Sequence, residues 1–228
     1  MPMADYELLA RLFAQPGAAY ATDVTGAAAA CREHYPVAAA LLQRFRDLLP
    51  PDDHLALQEL HTRTFDVQAI TSLDIGYALF GEDYKRGALL ANLSAEHKRA
   101  GIECGEELAD HLTNVLRLLS KMADHALREE LVRVLLAPAV REMMLDFEEK
   151  RLTAKDELYK KHHKTLIDTA AGERRTAYRH ALEALLEVLR IDFALPASPP
   201  IAPPTRVASA LDAEMEIEDR RPCDANSS

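Results

Sequence analysis

Four side chains that take up, release or hold protons crowd the stretch from 106 to 111: Glu106, Glu107, Asp110 and His111. Such a group admits two chemistries. A carboxylate beside an imidazole moves protons as a general acid–base pair, so a small all-α hydrolase working through Glu107, Asp110 and His111 is one reading. An acidic patch with one histidine also receives a basic peptide. Plain helix chemistry competes with both, because carboxylates near a helix N-terminus are stabilised by its dipole and caps.

Other reaction classes find no matching pattern. No two of the nine histidines lie three or four residues apart, which excludes histidine pairs on one helical face as metal ligands. None has a glutamate three positions before it, so the di-iron bundle pattern is missing too. The adjacent His162 and His163 run with Lys160, Lys161 and Lys164 and read as a solvated basic patch. Cys104 sits among Glu103, Glu106 and Glu107, whose charges oppose a reactive thiolate. The eight glycines never cluster as a phosphate-cradling loop requires.

Upstream of the acidic group lies an apolar, aromatic-bearing run: Phe65, Ile70, Leu73, Ile75, Tyr77, Leu79 and Phe80. It is not cleanly amphipathic and ends at a Gly81–Tyr84 turn. Arg86 follows; pairing inside the chain with Asp83 or Glu82 is the structural alternative to a binding role for it. A second break is expected around Gly101–Gly105, after which Glu107-Leu-Ala-Asp-His111 opens a leucine-rich helix. Its stripe is Leu108, Leu112, Val115, Leu116 and Leu119.

These groups must be positioned by helices, since helical spacing pervades the chain. Leu8, Leu9, Leu12 and Phe13 form one stripe, stopped by Pro16-Gly17. Ala27 to Leu49 is alanine- and leucine-rich and ends at Pro50-Pro51. Asp52 or Asp53 is a good N-cap for the helix bearing Leu55, Leu57, Leu60 and Phe65, and Asp83 for the one bearing Leu89, Leu90 and Leu93. Leu131–Leu136 predicts a further helix, broken or kinked at Pro138. Val140 to Leu152 continues it or starts anew, and Lys155 to Ala170 is a charged helix. Tyr178, Leu182, Leu185, Leu186 and Leu189 form the last stripe. No run of β-branched residues alternates and no Asn-Gly or Asp-Gly turn occurs. The expectation is an all-α fold, a single irregular bundle of roughly eight to ten helices over residues 1–195. Residues 196–228 form a proline-rich, then acidic tail with too little apolar surface to fold alone, expected to be disordered. Met215 and Ile217 among its acids would suit a docking motif, so a helical adaptor or regulator is a further reading.

Composition narrows the partners. The net charge is −10 and the pI about 5.4, against nucleic acid or an anionic membrane and in favour of basic partners. An odd count of three cysteines suits a reducing compartment. The N-terminus does not read as a secretory signal, and no apolar run approaches the ~20 residues of a membrane span. A cytoplasmic location is expected.

Over residues 65–119 the order of elements resembles the redox-enzyme maturation chaperones, the trimethylamine-oxide-reductase and nitrate-reductase delta-subunit families. Phe65-Asp66, the aromatic stretch Leu73–Phe80 and the basic helix start Tyr84-Lys85-Arg86-Gly87 resemble the nitrate-reductase branch. Glu107-Leu108-Ala109-Asp110-His111 resembles its Glu-Leu-Pro-Asp hinge, with Ala109 in place of proline. The Asp110-His111 pair is closer to the trimethylamine-oxide-reductase branch. The resemblance implies a chaperone, not an enzyme, that binds the N-terminal segment of a molybdoenzyme catalytic subunit while the molybdenum cofactor is inserted. It implies no permanently bound cofactor and at most transient contact with the client's molybdenum cofactor. A monomer, or a dimer by helix exchange at Ala109, would fit. The peptide groove would comprise Leu73, Tyr77, Phe80, Tyr84, Arg86, Glu107, Asp110 and His111, binding an amphipathic, arginine-bearing helix through apolar contact and acidic pairing. His111 would make affinity depend on pH near neutrality.

Overall fold

The computed structural model describes residues 3–51, 53–163 and 169–196, apart from the side chains of 158–163 and 169–171. The proline-rich and acidic tail and the His162-His163 side chains lie outside the described residues. The fold is all-α, and among the described residues there is no strand.

The helices in chain order are α1 Tyr6–Arg11, α2 Tyr20–Cys31, α3 Pro36–Leu48, α4 His54–Phe65, α5 Ile75–Phe80, α6 Lys85–Arg99 and α7 Leu112–Lys121. They continue with α8 His125–Glu130, α9 Ala137–Leu145, α10 Glu149–His163 and α11 Ala177–Asp192. A short 3₁₀ turn, Thr169–Thr176, precedes α11. Several starts follow directly from local chemistry. Asp5, Asp53 and Asp124 each accept a backbone N–H of the first turn of α1, α4 and α8. Pro36, at the first position of α3, needs no donor there. The alanine- and leucine-rich stretch from Ala27 to Leu49 is therefore two helices, parted where Pro36 disfavours helical backbone at Tyr35 (φ −134°, ψ 59°).

α8 and α9 are joined by a π-helical turn, Leu131–Leu136, in which Ala137 N–H donates to Val132 O. Pro138 has no N–H and would crowd the carbonyl four residues back in a regular helix. The wider turn just before it is how the helix passes a proline without ending.

The core is organised around α11, which buries Tyr178, Ala181, Leu182, Leu185, Val188 and Leu189 against α3 and α9. α2 lies on α3, and α1 bridges α2 and α7. α7 buries Leu112, Val115, Leu116, Leu118 and Leu119 and turns Ser120 and Lys121 outward. An aromatic cluster joins the layers: Tyr178 contacts Phe45 at 5.0 Å, Phe65 at 4.8 Å and His61 at 5.8 Å between ring centres. At one end Asp192 accepts from Ala4 N (3.1 Å) and the hydroxyls of Tyr6 (2.7 Å) and Tyr35 (2.5 Å), tying the first and last described segments together.

Candidate functional site

The acidic group does not open the leucine-rich helix. α7 begins at Leu112, with His111 in extended conformation (ψ 135°) as its N-cap. Leu108 is 49 % exposed and takes no part in the buried stripe. The cause is a backbone pairing across the fold. Ile75 N–H donates to Asp110 O (2.9 Å) and Leu112 N–H to Leu73 O (2.8 Å), an isolated antiparallel bridge of Asp74 with His111. Those bonds take up donors and acceptors that a helix through 107–111 would use itself.

Side chains bolt the rest of this connection down. It leaves α6 through Gly101 (φ 65°) and turns again at Gly105 (φ 68°), left-handed conformations that suit glycine. His97 donates from Nε2 to Ala109 O (3.0 Å). Asn114 Nδ2 donates to Cys104 O (3.2 Å) and Leu108 O (3.0 Å), and Arg117 donates to Glu103 O (3.1 Å). The connection is thus pinned along its length, although Ala109 stands where a proline was expected to stiffen it.

Behind the bridge lies a charged centre. Arg86 donates from Nε to Asp110 Oδ2 (2.9 Å) and from Nη2 to Asp74 Oδ2 (2.6 Å). Glu82 and Asp83, the partners weighed for an internal pairing, are not the ones it takes; Asp83 instead accepts from Lys85 N–H (2.9 Å) at the start of α6. Burial opposes the guanidinium charge, but the hydrogen bond to Asp110 and the charges of Asp110 and Asp74 together hold its pKa above the ordinary arginine value. The Tyr77 ring lies 5.6 Å from the guanidinium carbon, close enough for a cation–π contact. Asp110 is 0 % exposed. Gly76 makes room for it: a Cβ there would stand 2.7 Å from Asp110 Oδ2, 3.0 Å from Leu89 Cδ2 and 3.1 Å from Arg86 Cγ.

In front of the bridge opens a cavity of about 240 Å³. It is lined by Ala14 and Gln15, by His61, Phe65 and Asp66 of the α4 end, by Ser72, Leu73 and Asp74, and by Glu107, His111 and Thr113. α4 reaches this place because His54 and Gln58 bond to Pro16 O (3.0 and 3.3 Å) and His61 Nε2 to Phe13 O (3.2 Å). Burial lowers the His61 pKa, against the raising influence of the Phe13 carbonyl and Asp66. A second cleft, about 420 Å³, lies between residues 69–78 and the α9–α10 corner. Its charged groups already pair, Arg151 and Lys155 both with Asp146 (3.3 and 3.5 Å).

The eight residues expected to form one groove fall into separate places. Leu73, Glu107 and His111 line the 240 Å³ cavity, Leu73 as a core residue, Glu107 exposed at its rim and His111 nearly buried. Arg86, Asp110 and Tyr77 belong to the charged centre behind it, and only Tyr77 (44 % exposed) also faces the second cleft. Phe80 is half-buried and Tyr84 exposed, and neither lines either cavity. Asp110 therefore pairs within the chain. His111 bonds through Nδ1 with Thr113 (2.7 Å to Oγ1) while its Nε2 stands 3.9 Å from Glu107. Phe65, Ile70, Leu73 and Ile75 of the aromatic run are core.

Sequence reasoning did not single out His61, Asp74 or Asn114. No spacing signal marks them: the His61 partner lies 48 residues away and that of Asp74 12, and Asn114 bonds to backbone carbonyls, which no residue type announces. Burial raises the Cys104 thiol pKa, further from a reactive thiolate. Among the described residues no group of three or more histidine, cysteine or acidic side chains is placed to hold a metal ion, and no helix is long and apolar enough to cross a membrane. Comparison with known proteins finds no family model that matches this chain and no curated protein that matches it.

Proposed function

We propose that this protein is a peptide-binding assembly chaperone of the redox-enzyme maturation kind, whose client is the N-terminal segment of a molybdoenzyme catalytic subunit. The observation that carries the reading is the convergence of three of the four sequence stretches on which the resemblance rests. Phe65-Asp66, Leu73 of the aromatic stretch, and Glu107 and His111 of the hinge together line one open, acid-rimmed cavity. A net charge of −10 favours encounter with a basic segment. The client's molybdenum cofactor would stay with the client, and the role of this chain is to hold the apo-subunit until insertion.

The hydrolase alternative is weakened by geometry. Asp110 is bonded to Arg86 rather than to His111, and His111 stands beyond hydrogen-bond distance of Glu107. Calorimetric titration of the full chain with N-terminal peptides of molybdoenzyme catalytic subunits from the same organism tests the proposal. Saturable binding at micromolar Kd or tighter is expected for one of them. Absence of binding to every such peptide would overturn the reading and move weight to a helical adaptor.

A further inference from the structure

Two buried histidines share one state. His61 on α4 and His97 on α6 each meet a backbone carbonyl through Nε2, Phe13 O at 3.2 Å and Ala109 O at 3.0 Å. A carbonyl only accepts, so Nε2 carries the proton and Nδ1 a lone pair. Each Nδ1 is closed off from solvent, with no hydrogen-bond partner among the described residues. A second proton would turn that lone pair into a buried charged donor with nothing to receive it. A ring in this state takes the proton only by turning outward, and turning outward breaks its carbonyl bond.

The two rings differ in what moves with them. His61 sits in the aromatic cluster, 5.0 Å from Phe65 and 5.8 Å from Tyr178 between ring centres, and cannot leave without opening the core. His97 secures the connection that leaves α6 at Gly101. Ile102 and Ala109 are its buried anchors, while Glu103 and residues 105–108 are exposed. α6 holds both anchors through this one residue: His97 Nε2 donates to Ala109 O, and His97 O accepts from Ile102 N–H (2.9 Å). The remaining bonds of the segment run from Asn114 and Arg117 of α7. A segment with so little buried apolar surface opens at lower free energy than the helical core.

The charges around His97 favour its neutral form. Arg117 of α7 is the charged group that bears on the ring among the described residues, and it opposes a second proton. Glu96, beside it on α6, pairs with Arg99, and Glu103 of the connection turns its carbonyl to Arg117.

We propose that His97 is an acid-sensitive latch: when its ring takes a second proton, residues 101–109 part from α6 while the helical core stays folded. Glu107 rides on that segment, so the latch also sets the rim of the cavity, whatever the cavity binds.

Amide hydrogen exchange of the ¹⁵N-labelled full chain, followed from pH 8 to pH 5 with and without dilute urea, tests the latch. Rates are corrected for the intrinsic pH dependence of exchange. The Ile102 amide is expected to exchange through an opening that dilute urea does not accelerate. Its protection should drop about tenfold per pH unit below about pH 6.5, the slope of a single proton. Leu185 and Val188 of α11 should stay better protected and show the urea dependence of global unfolding. In His97→Gln, whose side-chain amide can still donate to Ala109 O without titrating, the acid response of Ile102 should vanish; in His61→Gln it should persist. The proposal is overturned if Ile102 matches α11 in protection and urea dependence, or keeps its acid response in His97→Gln. The ring ¹⁵N shifts of the native chain give a reading that needs no variant. A His97 ring that titrates at about pH 6.5 while Ile102 protection stays level also overturns the latch.

Discussion

Asp192 and Asp110 each gather donors from distant parts of the chain, and they do so in opposite ways. Among the described residues Asp192 accepts from neutral groups, two tyrosine hydroxyls and a backbone N–H, and sits half-buried where the first and last described segments meet. Both hydroxyls respond by becoming harder to ionise, from burial first and then from the nearby carboxylate. Asp110 is fully enclosed and answered by a full positive charge, with Asp74 sharing the same guanidinium. Neutral donors close the end of the bundle at little electrostatic risk. The ion pair stands where a connection is pinned beside an open cavity, and losing either half leaves a charge enclosed. The two centres show how one chain separates holding itself shut from holding a site in place.

The contrast is broken most severely at Arg86. Arg86→Met strands Asp110, and the loss in urea-unfolding free energy is expected at about 3–5 kcal/mol, the cost of an uncompensated buried charge. Wild-type-like stability in that variant would show that Asp110 does not depend on Arg86 for its compensation. Gly76→Ala should cost about 1–3 kcal/mol through overpacking against Asp110 and Leu89, visible in the same unfolding curves. At the other centre Tyr35→Phe removes one neutral donor and should cost about 1 kcal/mol, with Asp192 still served by Tyr6 and Ala4. A loss as large as that of Arg86→Met would erase the distinction between the centres.

A smaller effect comes from pH. Burial lowers the pKa of both His61 and His97, so the folded state resists protons that the unfolded chain takes up near about pH 6.5. Stability should therefore fall as pH drops below about 6.5 and be level above it as far as these two rings are concerned. Urea midpoints measured from pH 8 to pH 5 check the direction, and His97→Gln should flatten part of the fall. Leu55→Ser, at a side chain 76 % exposed and remote from both centres, should stay within about 0.5 kcal/mol.

What could be read from the residues in order was local. Asp53 caps α4, Gly81, Gly101 and Gly105 take left-handed turns, and the stripe from Leu112 to Leu119 is buried. The site was less legible for a physical reason. A single bridge between Asp74 and His111 leaves no alternating pattern, so nothing in the sequence announces that 108–111 is a turn, closed by His111 N–H on Leu108 O (3.1 Å), that hands an extended His111 to the bridge. Asp110 stands among Glu106, Glu107 and His111 and reads as surface, because the guanidinium that draws it inward lies 24 residues earlier. His61 reads as an ordinary helical histidine, and only the fold reveals that its Nδ1 is buried with no hydrogen-bond partner among the described residues. Phe65-Asp66 and Glu107-His111 were both noticed in sequence, yet their shared cavity depends on α4 being fastened to the Phe13–Pro16 carbonyls.

The π turn at Leu131–Leu136 fixes the angular phase of everything beyond it. Each residue advances a helix by about 100°, so the wide turn rotates α9 relative to α8 as an inserted residue would. Val140 and Met143 point into the core only in that rotated frame. Deleting one residue between Leu131 and Leu136 would restore regular winding, swing the α9 face away from α11 and set Pro138 against an unrelieved helix. Swapping one apolar residue for another in the same stretch would leave the phase untouched. Here the count of residues carries more structural information than their identity.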